Sequence, residues 1–369
     1  MESFHWKLFR YQLPLKESLC LLGHELFKRD GLVLRLYLGS SNISYNQKFG
    51  EGEIVTLPGM HQEFLFQAET QIKDYLSSRN NFKSQSYENL FASVRFGLDM
   101  ALRTLFNNLK EFSGNFNVNE IFESNYFLMD REINYKKIPV NGLAIGSGTR
   151  LEQECKHFLA ERFQAIKIKV GKLKVKEDIE RVKIARKILG DEIQISLDAN
   201  RAWKWEEAVE FAYLVKEFKI VYCEEPLRDF KKIEKLHEKT EIPIALDETL
   251  WKNPDPKTLP KKGIIAFILK PAILGGWEKT KFWVNYSDKN GIKSVLSSSF
   301  ESGLGLNWIA FIAANLAKNQ FQTGLDTAKW FRQDLIDPPF VIRNGFYIFP
   351  ESWPIANFKH LRLLERGHG

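Results

Sequence analysis

The chain has 369 residues, of which 44% are hydrophobic and 27% are charged, and its formal net charge is +7 at pH 7. This length suits one large domain or two ordinary ones, and the composition excludes a short disulfide scaffold, a collagen-like chain and a wholly disordered chain. The small excess of positive charge permits an anionic substrate or a nucleic acid as partner without requiring either.

The cysteines and the N-terminal segment indicate the cellular compartment. Cys20, Cys155 and Cys223 lie far apart without a CxxC pair, so we expect neither a disulfide framework nor a cysteine-rich zinc site. Charge and proline interrupt residues 1–15 before a signal-like apolar core can form, and the apolar run Ile264–Leu269 is far too short to span a bilayer. We therefore expect a cytoplasmic protein in a reducing environment.

The first part of the chain has the pattern of an α+β unit. Residues 4–11 and 32–38 have strand character and are separated by polar turn signals, which predicts a three-stranded antiparallel sheet. From Gln62 to about Glu111 the apolar residues take helical spacing. The stripe consists of Phe91, Val94, Leu98, Ala101, Leu102 and Leu105. We predict an α+β capping domain over residues 1–136.

From Ile138 onward, short apolar runs alternate with longer charged amphipathic segments, as in repeated βα units. The polar residues that end these runs are 23 to 29 positions apart: Lys169, Asp198, Glu224, Asp247, Lys270, Ser297 and Gly324. A repeat of about 26 residues accommodates a strand, a helix and two loops of a (β/α) barrel. The segment Val175–Leu189 carries an apolar stripe and is predicted to be one of the helices. We predict a barrel over residues 137–327 and a tail, 328–369, that folds back over the cap.

The residues at the carboxyl ends of barrel strands surround the active site, so their identity bears on function. Lys167 and Lys169 alternate with isoleucines and therefore share one face of their strand. Taken singly, such lysines are typical of a solvated strand, and an acid after a strand is typical of a helix N-terminus. Three successive strands ending in Asp198, Glu224 and Asp247 would instead bring three carboxylates to one barrel mouth, where they repel each other unless a cation neutralises them.

A hard divalent cation suits this pattern. Mg²⁺ prefers carboxylate oxygens and keeps coordination positions open for water and substrate. The seven histidines show no HExxH spacing that would indicate zinc. Lys169 and Lys270 would then stand on opposite sides of whatever the metal holds.

This pattern resembles the muconate-lactonizing subgroup of the enolase superfamily, in which a KxK strand, three carboxylates and a later lysine surround Mg²⁺. Within that superfamily the chain resembles the o-succinylbenzoate synthase family over essentially its whole length. The segments that carry the resemblance are residues 50–54 (GEGEI), 57–59 (LPG), 93–99 (SVRFGLD), 198–203 (DANRAW), 224–226 (EEP), 268–271 (ILKP), 297–302 (SSSFES) and 324–327 (GLDT). The chain departs from the family at Ser196, where some members have Arg, and at Val55-Thr56, where Ala-Pro is frequent.

The resemblance implies an α/β fold, a modified TIM barrel of (β/α)7β type with an α+β capping domain. It also implies Mg²⁺-dependent dehydration of 2-succinyl-6-hydroxy-2,4-cyclohexadiene-1-carboxylate to o-succinylbenzoate, a step of menaquinone biosynthesis. The implied ligands of Mg²⁺, for which Mn²⁺ could substitute, are Asp198, Glu224 and Asp247. Lys169 is the implied base, with Lys167 disfavouring its protonation, and Lys270 is the implied cation that stabilises an enediolate.

Further residues are expected to support this chemistry. Asn200, Glu225 and Glu248 are predicted to hold the metal ligands or pair with nearby charges. We expect hydroxyls or backbone N–H groups to bind the substrate carboxylates, from Ser297, Ser298, Ser299 and Gly324. Residues 49–60 are predicted to form a lid over the succinyl tail.

Two other functions use the same features. An N-succinylamino acid racemase or dipeptide epimerase, or a muconate-type cycloisomerase, would need the same lysines and acids. By resemblance, the triple serine and the GLDT segment favour the synthase over dipeptide epimerases. A basic nucleic-acid-binding protein is disfavoured because no recognition motif is present and the lysines are interleaved with glutamates. We expect a small dicarboxylate substrate and no nucleic-acid or membrane partner, and the sequence leaves the oligomeric state open.

Overall fold

The structure is a computed structural model that describes residues 4–21, 23–38, 49–77, 87–109, 137–317 and 320–368. The predicted end of the helical region near Glu111 and the predicted domain boundary at residue 136 lie outside these ranges.

The N-terminal residues form an antiparallel sheet of four strands, not the three that the sequence predicted. The strands are β1 (Phe4–Leu21), β2 (His24–Leu38), β3 (Phe49–Ile54) and β14 (Arg362–His368), in the order β14-β1-β2-β3. The extra strand comes from the C-terminal end of the chain and pairs with β1, with Lys7 opposite Arg366. No local pattern indicates a pairing between segments so far apart in sequence.

Two helices, α1 (Leu65–Ser77) and α2 (Ala92–Leu109), cover one face of this sheet. The contact between β3 and α2 is made backbone to backbone. A Cβ atom on Gly52 would lie 1.7 Å from the carbonyl oxygen of Gly97, and one on Gly50 would lie 1.9 Å from that of Ala101. The GEGEI and SVRFGLD segments therefore meet in space, and glycine is required where they touch.

The central sheet has seven parallel strands whose spatial order follows the chain. They are β5 (Gly142–Ala144), β6 (Ala165–Lys169), β7 (Gln194–Asp198), β8 (Cys223–Glu224), β9 (Ile244–Leu246), β10 (Ile264–Leu269) and β11 (Lys293–Leu296). Residues 320–324 bridge both edges, because Ser297 pairs with Gly324 and Val140 pairs with Thr323. This eighth segment closes the ring of strands, which confirms the predicted (β/α)7β fold.

Helices connect these strands and pack around them. They are α3 (Thr149–Ala160), α4 (Val175–Leu189), α5 (Trp205–Val215), α6 (Ile233–Thr240), α7 (Glu248–Lys252), α8 (Pro271–Leu274), α9 (Trp277–Lys289) and α10 (Gly303–Leu316). A small antiparallel sheet is formed by β4 (Lys137–Pro139), β12 (Ile342–Arg343) and β13 (Phe346–Ile348). In the part of the chain that the structure describes, no helix has the length and apolarity needed to cross a bilayer.

The close contact between β3 and α2 predicts that Gly52→Ala destabilises the protein. The added methyl group would overlap the Gly97 carbonyl, so the strand and helix must separate at a cost of about 3 kcal/mol. Gly291→Ala is the control, because its Cβ would meet nothing within 4 Å and only its positive φ of +69° would add strain, roughly 1–2 kcal/mol. Denaturant unfolding of both variants measures the difference, and an equal or smaller loss for Gly52→Ala would contradict the packing described.

Candidate active site

The polar residues predicted to end the barrel strands do lie at the strand ends. Lys169, Asp198 and Glu224 are the last residues of β6, β7 and β8. Asp247 and Lys270 follow β9 and β10 directly, and Ser297 follows β11. Because the strands are parallel and adjacent in this order, the acids occupy three neighbouring positions of the ring, with Lys169 on one side and Lys270 on the other.

A layer of side chains lies beneath these residues on the same face of each strand, two positions earlier. Tyr222, Ala245, Ile268 and Val295 form an apolar cluster there. Lys167 belongs to the same layer by its spacing, and only 7% of its side chain is exposed. Both lysines of the KxK strand therefore point into the barrel, which excludes the interpretation of a strand with solvated lysines.

Each acid is paired with one lysine. The Nζ atom of Lys167 lies 2.6 Å from Oε2 of Glu224. The Nζ atom of Lys169 lies 2.5 Å from Oδ2 of Asp198 and 2.8 Å from Oδ1 of Asn200. Lys270 pairs with Oδ2 of Asp247. Three buried carboxylates thus have three ammonium groups beside them.

Burial and mutual repulsion act on the pKa values of these groups. Burial and the neighbouring Asp198 raise the pKa of Glu224 well above its usual value. Burial alone would raise the pKa of Asp198 as well, but Lys169 and Lys167 lower it to about 2. Burial would lower the pKa of Lys270, but Asp247 and Glu224 outweigh that effect and raise it. The arrangement is a densely charged cluster in which every acid depends on a nearby cation.

The donor set of this cluster fits a divalent cation, although its geometry is not preformed. Oε1 of Glu224 and Oδ1 of Asp247 are buried and have no hydrogen-bond partner within the described ranges, and neither has Oε2 of Glu248. Buried carboxylate oxygens without partners are costly unless a cation satisfies them. Among the residues that the structure describes, no three His, Cys, Asp or Glu side chains converge into a ready-made metal site, and a lysine binds one oxygen of each of the three acids.

Glu225 links the ends of two strands. Its Oε1 atom accepts hydrogen bonds from the backbone N–H of Asp247 at 2.9 Å and of Thr249 at 2.6 Å. Its Oε2 atom accepts from Nε of Arg201 at 2.7 Å. The carboxylate therefore fixes the backbone that carries Asp247. The sequence analysis predicted a supporting role for Glu225 but did not identify its partners, Arg201 and Thr249.

Asn200 and Glu248 form a second link. The side-chain amide of Asn200 donates to Oε1 of Glu248 at 3.2 Å, and its backbone N–H donates to Oδ1 of Asp198 at 3.0 Å. Burial, together with Asp247 and Glu225, raises the pKa of Glu248 to about 7. Asn200, Arg201 and Glu225 all have positive φ angles of 42° to 61°, and such strained backbone is often concentrated at functional sites.

A cavity of about 550 Å³ opens over the strand ends and has the size of a small-molecule site. From the barrel it is lined by Lys167, Lys169, Asp198, Glu224 and Lys270, whereas Asp247 lies beneath the surface. From the cap it is lined by residues 17–21 and Gly23 at the turn between β1 and β2. Only Met60 of the predicted lid, residues 49–60, lines the cavity, because most of that segment is β3 and its buried continuation.

The predicted substrate-binding residues also line the cavity, but the groups they offer differ from the expectation. The backbone N–H groups of Ser297, Ser298, Ser299 and Gly324 are already bonded to Leu269, Gly324, Glu301 and Leu296. The hydroxyl of Ser299 donates to Glu301 as well. The hydroxyl of Ser297 contacts the Gly324 carbonyl at 3.4 Å. The hydroxyl of Ser298 contacts the same carbonyl at 3.1 Å and the hydroxyl of Thr327 at 2.9 Å, so each must turn from these partners to bind a ligand.

Sequence reasoning missed two cations at this site. Arg181, on α4, donates to the carbonyl oxygen of Lys169 at 2.6 Å and to Oδ1 of Asp178 at 2.9 Å, and so holds the end of β6. Arg150 lines the cavity mouth and pairs with Glu17 of the cap at 2.5 Å. Arg181 lies in a regular amphipathic helix pattern, in which an arginine is expected to be a surface residue. No sequence signal distinguishes Arg150 from other surface arginines.

Comparison with known proteins agrees with this architecture. Residues 150–353 match the family model "Enolase C-terminal domain-like", and residues 4–105 match "MenC, N-terminal domain". The o-succinylbenzoate synthase of Pasteurella multocida is 29% identical, with 94% of this chain and 97% of the relative covered. The chloroplastic protein PHYLLO of Arabidopsis thaliana is 27% identical over 91% of this chain, which spans only 21% of that larger protein.

Solved structures show the same fold. The dipeptide epimerase of Cytophaga hutchinsonii, solved with Mg and the dipeptide D-Ala-L-Val, superposes with a TM-score of 0.71 at 19% identity and with 100% of both chains covered. The family model that covers more than half of the chain, the N-terminal domain match and the relatives agree on one assignment. The chain is therefore an enzyme of the enolase superfamily and belongs, within it, to the o-succinylbenzoate synthase family.

Proposed function

We propose that this enzyme removes water from 2-succinyl-6-hydroxy-2,4-cyclohexadiene-1-carboxylate and releases o-succinylbenzoate, in menaquinone biosynthesis. The observation that carries the proposal is the ring order of the cluster: three acids side by side, flanked by Lys169 and Lys270, under one cavity. The o-succinylbenzoate synthases that align with 90% or more of the chain favour this reaction among those the cluster could perform.

In this proposal Asp198, Glu224 and Asp247 hold Mg²⁺. The two unpartnered oxygens of Glu224 and Asp247 support this assignment, and Glu225 and Asn200 would keep the strand ends in place around the ion. When bound, Mg²⁺ would supply positive charge that stabilises the ring carboxylate of the substrate as negative charge develops there.

Lys169 is the proposed base. It would take the proton from the ring carbon that bears the carboxylate, after which the bond to the neighbouring hydroxyl breaks and the same proton leaves with the hydroxide as water. Lys169 must separate from its present partner, Asp198, and lose one proton before its neutral amine can accept the proton of the substrate. Lys167, one layer below, would disfavour a second positive charge at Lys169.

Lys270 is proposed to remain protonated and to stabilise negative charge from the opposite side. Lys270 directly follows β10, and the three strands that carry the acids lie between β10 and β6, the strand of Lys169. Asp247 and Glu224 already favour its charged form by raising its pKa. The hydroxyls of Ser297 and Ser298 would contact a carboxylate of the substrate.

A second candidate function is 1,1-proton transfer on an N-succinylamino acid or a dipeptide. The two lysines on opposite sides of one cavity favour it, since each could exchange a proton with one face of a carbon acid. The fold is shared with a dipeptide epimerase, so the fold itself does not separate the two reactions.

The direct test follows the cyclohexadiene substrate with purified protein and Mg²⁺. We expect the diene absorbance to fall as the aromatic product forms, activity to cease on chelation with EDTA, and activity to return when Mg²⁺ is restored. Racemisation of N-succinyl amino acids is measured in parallel. Absence of dehydration together with rapid racemisation would replace the proposed function with the second candidate.

Substitution of the proposed base separates catalysis from metal binding. Lys169→Ala should lower kcat by about 10²–10⁴-fold, because the proton acceptor is lost, while Mg²⁺ binding measured by calorimetry persists. Lys183→Ala on α4 is the control, since 62% of that lysine side chain is exposed and it pairs only with Glu180 in the described structure. Turnover by Lys169→Ala at the rate of the control would remove Lys169 from the role of base.

A further inference from the structure

The loop between β11 and α10 carries a strained residue beside the cavity. Phe300, which follows the triple serine, has a φ angle of +65°. This left-handed conformation is unfavourable for a bulky side chain because Cβ approaches a backbone carbonyl. The conformation persists only where the surrounding structure holds it.

The group that holds it belongs to the cap. Arg29, on β2, is only 4% exposed. Its Nε atom donates to the carbonyl oxygen of Phe300 at 3.0 Å, and its Nη2 atom donates to that of Ser299 at 3.2 Å. Its Nη1 atom donates to the carbonyl oxygen of Thr56, just beyond β3. One buried guanidinium therefore joins two strands of the cap to two consecutive peptide groups of the barrel loop.

Carboxylates fix the remainder of the loop. Glu53, on β3, accepts from the backbone N–H of Ser302 at 3.0 Å and from its hydroxyl at 2.8 Å. Glu301 accepts from the backbone N–H of Ser299 at 2.7 Å. Because the loop is anchored at Ser299, Phe300 and Ser302, its shape follows the position of the cap.

This shape determines part of the cavity wall. The Phe300 ring lines the cavity and packs against Trp330, with 5.8 Å between ring centroids. Ser297 and Ser298 line the cavity just before the anchored residues. Arg29 itself is absent from the lining, so it does not touch a ligand in the cavity directly.

We infer that Arg29 is a positioning residue for substrate binding: it holds Phe300 in the left-handed conformation and thereby places the aromatic ring and the serine hydroxyls against the substrate. The identity of that substrate rests on the proposed function. The positioning role rests on the contacts between Arg29 and the loop.

The first experiment compares two buried arginines of the same strand. Arg29→Met should raise KM for the cyclohexadiene substrate about tenfold, a loss of roughly 1.4 kcal/mol in binding, with a smaller change in kcat and unchanged Mg²⁺ binding. Arg35→Met is the matched control, because Arg35 is 1% exposed and binds Glu51 and the carbonyl oxygen of Ala356, away from the cavity. The control should lower the unfolding temperature and leave KM unchanged. An equal rise of KM in both variants would mean that Arg29 only stabilises the cap.

A double-mutant cycle tests the link to the strained residue. Glycine adopts positive φ without strain, so in a Phe300→Gly background the loop needs less help from Arg29. Adding Arg29→Met to Phe300→Gly should therefore raise KM by less than threefold. A tenfold rise in both backgrounds would overturn the role assigned to Arg29. Should Arg29→Met fail to fold, Arg29→Lys replaces it in the cycle, because a single ammonium cannot reach all three carbonyls in the geometry of the planar guanidinium.

A crystal structure of the Arg29 variant separates this inference from the proposed function. The φ angle of residue 300 should leave the left-handed region and the ring should move from the cavity wall. A loop that stays in place would contradict the inference whatever the substrate. Lack of dehydration by the unaltered enzyme, with the loop displaced in the variant, would contradict the proposed function alone.

Discussion

Three carboxylates on adjacent parallel strands cannot remain ionised in a buried site without cations beside them. Neighbouring strands of a sheet are only about 4.8 Å apart, so Asp198, Glu224 and Asp247 are held close by the same hydrogen bonds that close the barrel. This repulsion is offset by one lysine beside each acid, namely Lys167, Lys169 and Lys270. Hydrogen bonds from the backbone of Asp247 to Glu225 and from the backbone of Asn200 to Asp198 hold the strand ends at this cluster in place.

The charge balance of the cluster bears on the proposed metal site. Lysines bind one oxygen of each acid, while the other oxygen of Glu224 and of Asp247 is buried and has no hydrogen-bond partner among the described residues. In the proposed mechanism Asp198, Glu224 and Asp247 would hold a divalent cation, and Lys169 would separate from Asp198 before it takes part in proton transfer.

The cap contributes residues to the cavity wall and contacts to a barrel loop. The turn between β1 and β2 lines the cavity, and Arg29 and Glu53 reach across to the loop that carries the triple serine. Glu53 lies next to Gly52, where the backbones of β3 and α2 are in contact. If Arg29 positions the loop as proposed, the substrate contacts of the barrel depend partly on residues that do not line the cavity.

The strand ends of the barrel were predictable because each buried strand is a short apolar run followed by a polar residue. Val175–Leu189 was predictable because its apolar residues keep helical spacing among charges. Long-range contacts were not predictable. The pairing of β14 with β1, the cavity wall formed by residues 17–21, and the reach of Arg29 to Phe300 all join segments whose local sequences give no sign of each other. A lid was expected at residues 49–60, but the turn between β1 and β2 forms most of the cap side of the cavity. Residues 49–54 are instead β3, which completes the sheet.

The central proposal is that Asp198, Glu224 and Asp247 hold a metal ion and that Lys169 then separates from Asp198. A crystal structure of the enzyme with Mg²⁺ tests it most directly. We predict one ion within about 2.1 Å of oxygens from Asp198, Glu224 and Asp247, with the Nζ atom of Lys169 moved away from Asp198 and facing the cavity. An ion bound elsewhere, or one bound while Lys169 stays paired with Asp198, would contradict this proposal.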